Sequence, residues 1–176
     1  MTRGSGCSTI HTWTNKGALA MRFIYDLDHT VINSTHRQST LADGSLDLAH
    51  WIENNTPEKI WRDSLLPLAH QWRTQYARGA EIVVCTARVM QDADYAFLNH
   101  HGLIAHTILS RPEGDMTTDW LLKDKMLRRY ARERGLSWAR LCATSVMMDD
   151  NADVIDHLNA QGLRVHNAIR LNREVA

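Results

Sequence analysis

The run Phe23-Ile24-Tyr25-Asp26-Leu27-Asp28-His29-Thr30 narrows most sharply what this chain can fold into. An apolar stretch stops at two carboxylates with one residue between them, so in an extended strand both acids face the same side. Acids that close need a cation or a proton beside them. At the carboxyl end of a buried strand they belong in the crevice where α/β folds bind ligands. An exposed strand end with two solvated acids is the plainer alternative, and the neighbouring segments decide against it.

Apolar and amphipathic stretches alternate from there on. The first strand is expected over about residues 22–27, followed by a polar segment to about 46. Thr56 reads as the cap of one helix running to Gly79, with Pro57 and Glu58 in its first turn and Ile60, Trp61, Leu65, Leu68 and Trp72 on its apolar side. Residues 80–85 form a nearly uninterrupted apolar run closed by Thr86-Ala87-Arg88, the pattern of a buried parallel strand. Further helices are expected over 91–101, 119–134 and 152–160, and further strands over 104–109, 143–148 and 163–165. Strands thus alternate with helices, which predicts an α/β fold: a five-stranded, mainly parallel sheet with helices on both faces and right-handed crossovers. Asp26 and Asp28, Thr86 and Arg88, and Asp149 and Asp150 then end three strands on one edge of the sheet.

Composition narrows the rest. A chain of 176 residues suits one compact domain, expected over 21–176. Residues 1–20 are rich in Gly, Ser and Thr and are expected to be a disordered leader without chemistry. Their Gly4-Ser5-Gly6 is not followed by the Gly-Lys-Ser/Thr of a phosphate loop. Twenty basic and twenty acidic side chains cancel, so any nucleic-acid contact must be local. Three scattered cysteines argue for reduced thiols and a cytoplasmic setting. No apolar run approaches the length of a membrane span. The ten histidines show no zinc spacing and are read as surface or helix-end residues. Trp51 is the best candidate for stacking on a base, whereas Trp61 and Trp72 are expected in the core.

Acids, a hydroxyl and cations converging on one edge are the parts of a phosphoryl-transfer site. A phosphate dianion and a carboxylate nucleophile repel, so a divalent cation such as Mg²⁺, bound by a few oxygens, belongs between them. Asp26, Asp149 and Asp150 can supply those oxygens. One carboxylate can attack phosphorus, and a second, two residues on, can manage the protons.

Asp26-Leu27-Asp28-His29-Thr30, Thr86, a downstream lysine and Asp149-Asp150 resemble, in order, the four motifs of the haloacid dehalogenase-like (HAD) phosphohydrolases, over nearly all of residues 21–172. The resemblance implies the Rossmann-like HAD fold, with Asp26 as nucleophile, Asp28 as general acid/base, and Thr86 and a lysine as phosphate ligands. It places Mg²⁺ on Asp26, the Asp28 carbonyl and the Asp149-Asp150 pair. The chain is also similar to the 3'-phosphatase domain of bacteriophage polynucleotide kinases. That likeness rests on Arg37, eleven residues after the nucleophile, on Thr86-Ala87-Arg88, on Arg111-Pro112-Glu113-Gly114-Asp115, and on Asp119 four residues before Lys123. It makes Lys123, rather than Lys125, the motif lysine, and Arg37, Arg88 and Arg111 forks for substrate phosphates, with Asp119 orienting a cation.

By this resemblance the chain removes 3'-terminal phosphates from DNA or RNA ends. A separate kinase or ligase is a possible partner, and the host cytoplasm is the setting if the chain is phage-encoded. A phosphatase of nucleoside monophosphates, or a silent module that sequesters a phosphorylated nucleotide, are the alternatives. The first gap between motifs leaves room only for a loop or small helical flap, so a minimal cap and an open site are expected. His29 departs from the glycine usual in the motif, and strand alternation points its side chain away from the acids.

Overall fold

The computed structural model describes residues 21–44 and 46–175; the expected leader lies outside the described residues. The main sheet is wholly parallel and holds β1 (Arg22–Tyr25), β4 (Glu81–Thr86), β5 (Thr107–Ser110), β6 (Ser145–Asp149) and β7 (Arg164–Asn167) in the order β5-β4-β1-β6-β7. Connections from β1 run toward β4 and β5, whereas β6 and β7 lie on the other side. The order therefore reverses at the β1/β6 seam, where α/β sheets open a crevice beyond their strand ends.

Alternation sorts each strand between two apolar layers. Tyr25, Ile82, Val84, Val146 and Met148 face one side with Trp72 and Phe97, and Ile24, Val83, Cys85, Met147 and Val165 face the other. The first layer is covered by α3 (Leu68–Ala77), α4 (Asp92–His100) and α8 (Ala168–Glu174). The second is covered by α5 (Asp119–Glu133), α6 (Trp138–Ala143) and α7 (Ala152–Ala160). Trp72 is fully buried and stacks on Tyr25 with ring centroids 5.2 Å apart. Trp61, expected in the core, is instead 46% exposed, its edge against Phe97 and His100.

That difference comes from the one element that departs most from expectation. The helix expected from Thr56 to Gly79 is two: α2 (Pro57–Ile60) and α3, separated by β3 (Ser64–Leu65). Pro67 disfavours helical backbone at Leu66 and cannot donate to a preceding turn, so the chain extends before it and α3 starts after it. β3 pairs antiparallel with β2 (Ile32–Asn33). With a 3₁₀ turn (Thr35–Arg37) and α1 (Leu48–Glu53), these pieces form a small flap over the carboxyl edge of the sheet. Neither α6 nor α8 was anticipated; only Ala143, the last residue of α6, was expected as the start of a strand. Ser137 and Asn167 start them by accepting the backbone N–H of Arg140 and Arg170.

Candidate active site

β1 ends at Tyr25, and Asp26 remains in the ladder through its N–H to the Met148 carbonyl at 3.0 Å. That bond places Asp26 beside the end of β6. Carboxylate oxygens of Asp26, Asp149 and Asp150 all lie within 4.8 Å of one another. Lys123, from the second turn of α5, reaches into the group: its Nζ is 2.8 Å from Asp149, 3.4 Å from Asp26 and 3.3 Å from Asp119, four residues earlier on the same helix. Asn151 joins the group from below, its side chain on Asp119 Oδ2 and its N–H on Asp149 Oδ1. Thr86 ends β4, buried, and borders the same cavity as Asp26, Asp28, Asp119, Lys123 and Asp150.

One ammonium therefore faces four acids. Burial pushes the Asp26 and Asp149 carboxyls up against the pull of Lys123, with neighbouring acids adding to the rise. Burial and the charge of Asp149 push Asp150 up to about 6. The lysine is held charged: burial opposes the charge, but Asp26, Asp149 and Asp119 raise it well above its ordinary value. A buried group of hard oxygen donors with this excess of negative charge fits a small divalent cation such as Mg²⁺.

Asp28 has a different neighbourhood. Arg88 grips it with both fork arms, Nε to Oδ2 at 3.0 Å and Nη2 to Oδ1 at 2.5 Å, and Ser34 donates to Oδ1 at 2.5 Å. Burial by itself would raise this carboxyl, yet the charge and hydrogen bonds of Arg88, with Ser34, hold it below the usual range. The third arm of Arg88 goes to buried Asp94. Arg88 thus lines the cavity with every arm engaged.

Arg37 does not reach the cavity. Its side chain is fully buried, Nε and Nη2 on the two oxygens of equally buried Asp63 and Nη1 on Asn55. The fork expected to take a substrate phosphate is spent inside the flap, because Asp63, just before β3, offers a carboxylate of matching geometry. Arg111 likewise holds backbone: its Nε donates to the Ala87 carbonyl and its Nη1 to those of Asp115 and Thr117. Arg37→Ala should accordingly strip buried Asp63 of its bidentate partner, leaving it only His36 at 2.9 Å and Arg88 at 3.7 Å, at a cost of up to about 3–5 kcal/mol of stability, read as a lowered midpoint in urea. Hydrolysis of mononucleotides and oligonucleotides should fall in parallel. An unchanged midpoint with a loss confined to oligonucleotides would return Arg37 to the substrate.

His29 also departs from expectation. Its backbone is left-handed, with φ 54°, in a tight turn where Thr30 and Val31 both donate to the Leu27 carbonyl. The strand has already ended, so alternation no longer governs the side chain. His29 borders the cavity instead of pointing away from it, with Nε2 2.7 Å from Gln38 Oε1. Gln38 passes the chain of hydrogen bonds to Ser34 and thence to Asp28. Gln38, Leu46 and Trp51 close the cavity from the flap side. Of these, only Trp51 carried a signal in the sequence. Asn151 could have been found from its place directly after the acid pair, and Asp63 had none.

The parallel order β5-β4-β1-β6-β7, with paired acids after β1, a threonine ending β4, a lysine on α5 and paired acids at the end of β6, defines a HAD-like phosphohydrolase fold. Solved structures share it. A HAD-like family hydrolase of Streptococcus pneumoniae aligns over 87% of this chain and 90% of its own at TM-score 0.58 and 8% identity. A chain of the Pnkp1/Rnl/Hen1 RNA repair complex aligns over 84% of this chain and 42% of its own at TM-score 0.55 and 17% identity. Within that class, residues 14–176 match the family model of the bacteriophage T5 5'-deoxynucleotidase, and the chain belongs to this family. It is 41% identical to the 5'-deoxynucleotidase of Escherichia phage T5 over 85 residues, 46% of this chain and 34% of that relative. The matched region thus spans about a third of that relative's length. No helix among the described residues is long and apolar enough to cross a membrane.

Proposed function

We propose that the chain is a metal-dependent phosphomonoesterase that removes the 5'-phosphate of a deoxynucleoside monophosphate through an aspartyl-phosphate on Asp26. One observation carries the chemistry: Asp26, Asp149 and Asp150 converge within 4.8 Å around Lys123, beside Thr86 and at a cavity that also reaches Asp28. Family membership supports the choice of leaving group. The cavity, at about 250 Å³, lies just below the range of ligand sites, which begins at about 300 Å³, and this suits a single phosphoester. The 3'-end reading relied on Arg37, Arg88 and Arg111 as forks for flanking phosphates; Arg37 and Arg111 are engaged away from the cavity, and Arg88, which lines it, is held by Asp28 and Asp94.

Asp26, Asp149 and Asp150, with the Asp28 carbonyl, would hold Mg²⁺, which when bound offsets the repulsion between nucleophile and phosphate. An Asp26 oxygen attacks phosphorus, the bond from phosphorus to the 5'-oxygen breaks, and the departing oxygen takes a proton from Asp28. The Thr86 hydroxyl and the Lys123 ammonium steady the transferring oxygens. Water then attacks the same phosphorus, Asp28 takes its proton, and the bond to Asp26 breaks to release phosphate. Arg88 and Ser34 favour the charged form of Asp28, which suits the water step, whereas the proton that Asp28 gives in the first step has to be loaded against that pull.

The discriminating assay supplies Mg²⁺ and compares deoxynucleoside 5'-monophosphates, a 3'-phosphorylated oligonucleotide and a 5'-phosphorylated one. Turnover of the mononucleotides at a kcat/KM at least tenfold above either oligonucleotide is expected. A preference for the 3'-phosphorylated end would replace this reading with the end-repair one, and no turnover of any of them would remove both.

A further inference from the structure

The cavity has two chemically different walls. The sheet side is all phosphate chemistry: Asp26, Asp28, Thr86, Lys123 and Asp150. The flap side presents Gln38, Leu46 and the indole of Trp51. Trp51 sits on α1, a six-residue helix with no buried residue, started by Asp47 accepting the His50 N–H at 3.0 Å. A tryptophan on such a helix is not there to fill the core. It is nevertheless held firmly: the Arg37 guanidinium carbon lies 4.5 Å from the ring centroid and that of Arg88 5.7 Å. Arg37 is in turn fixed by Asp63 and Asn55. Other described tryptophans are committed elsewhere: Trp72 to the core, Trp61 to Phe97 and His100, Trp138 to the Gln161 carbonyl and Arg128, and Trp120 to His157.

We infer that Trp51 selects the leaving group, its cavity-facing indole being the surface on which the nucleobase of a substrate stacks. An immobilised indole loses little entropy when a ring packs on it, and Leu46 extends the same apolar wall. A base on an aromatic side chain is worth about 1–3 kcal/mol, a factor of about 5–150 in affinity. The inference deepens the phosphatase reading, on which it rests for the phosphate half of the ligand. The nucleoside half is testable without turnover.

Two variants separate a stacking surface from a mere filler: Trp51→Leu keeps apolar bulk, and Trp51→Phe keeps a flat face. Binding of phosphate-free thymidine, followed by saturation-transfer NMR, should be present in the wild type and the Phe variant and lost in the Leu variant. The ratio of kcat/KM for thymidine 5'-monophosphate to that for ring-free glycerol 1-phosphate should fall about 5- to 150-fold in the Leu variant and largely return in the Phe variant. Equal thymidine binding by the wild type and the Leu variant, or an unchanged ratio, would overturn the inference. A wild type that binds thymidine through Trp51 but hydrolyses neither phosphoester supports the stacking site and sinks only the phosphatase reading.

Discussion

Asp26→Asn should reduce phosphoester turnover by about 10⁴-fold or more, as removal of a covalent nucleophile does, without unfolding the protein. The amide keeps the shape of the carboxylate but cannot attack phosphorus. Folding should not suffer, because Asp26 is one of four acids crowded around Lys123 and burial already raises its carboxyl. Losing one charge from that group relieves repulsion between Asp26 and the Asp149-Asp150 pair. Steady-state rates and thermal midpoints measured together check this. A variant that retains activity within tenfold of the wild type would remove Asp26 from the chemistry, and one that is inactive because it is unfolded would show the charge to be structural.

Lys123→Met should be both inactive and much less stable. The lysine is 1% exposed and contacts Asp26, Asp119 and Asp149, so its removal leaves buried carboxylates without a counter-charge, at about 3–5 kcal/mol. The pH dependence has a definite sign. Carboxyls raised in the folded state, as Asp150 is to about 6, keep a proton that the unfolded chain gives up. Their stabilising contribution is full below the ordinary carboxyl range and is lost as pH rises through the raised value. In chelator, the Met variant should therefore regain stability relative to the wild type as pH falls from about 7.5 to 5.5. Added Mg²⁺ at neutral pH should rescue it in the same direction, since a ligand that binds only the folded state stabilises it. Urea midpoints across that range provide the check. A Met variant as stable as the wild type at neutral pH, or one further destabilised by acid, would contradict the charge balance described for this site.

Residues that end strands were the legible part of the molecule. Asp26, Thr86 and Asp149 each follow an apolar run whose period and composition announce a buried strand, and parallel strands put such ends on one edge. Lys123 was legible through the resemblance to the phage phosphatase domains, whose motif lysine follows an acid by four residues, a spacing that on a helix brings both to one face. The flap was legible only as a gap of the right length and not in its elements, because strands of two residues and helices of four and six are shorter than any hydrophobic period can register. Pro67 was the one available sign that residues 56–79 were not a single helix. Arg37 shows a different limit: an arginine reads alike whether its fork meets a phosphate or an internal carboxylate, and Asp63, which decides between them, looks like any surface acid. His29 escaped because alternation was carried four residues past the end of β1.

The most direct measurement is an acid quench of the wild type during turnover of a deoxynucleoside 5'-monophosphate with Mg²⁺, followed by mass spectrometry of the peptide that carries residues 23–30. A gain equal to one phosphoryl group, located on Asp26 and absent from Asp26→Asn, is the expected result. Full turnover with that peptide unmodified at every quench time, or with the phosphoryl group on another residue, would contradict it.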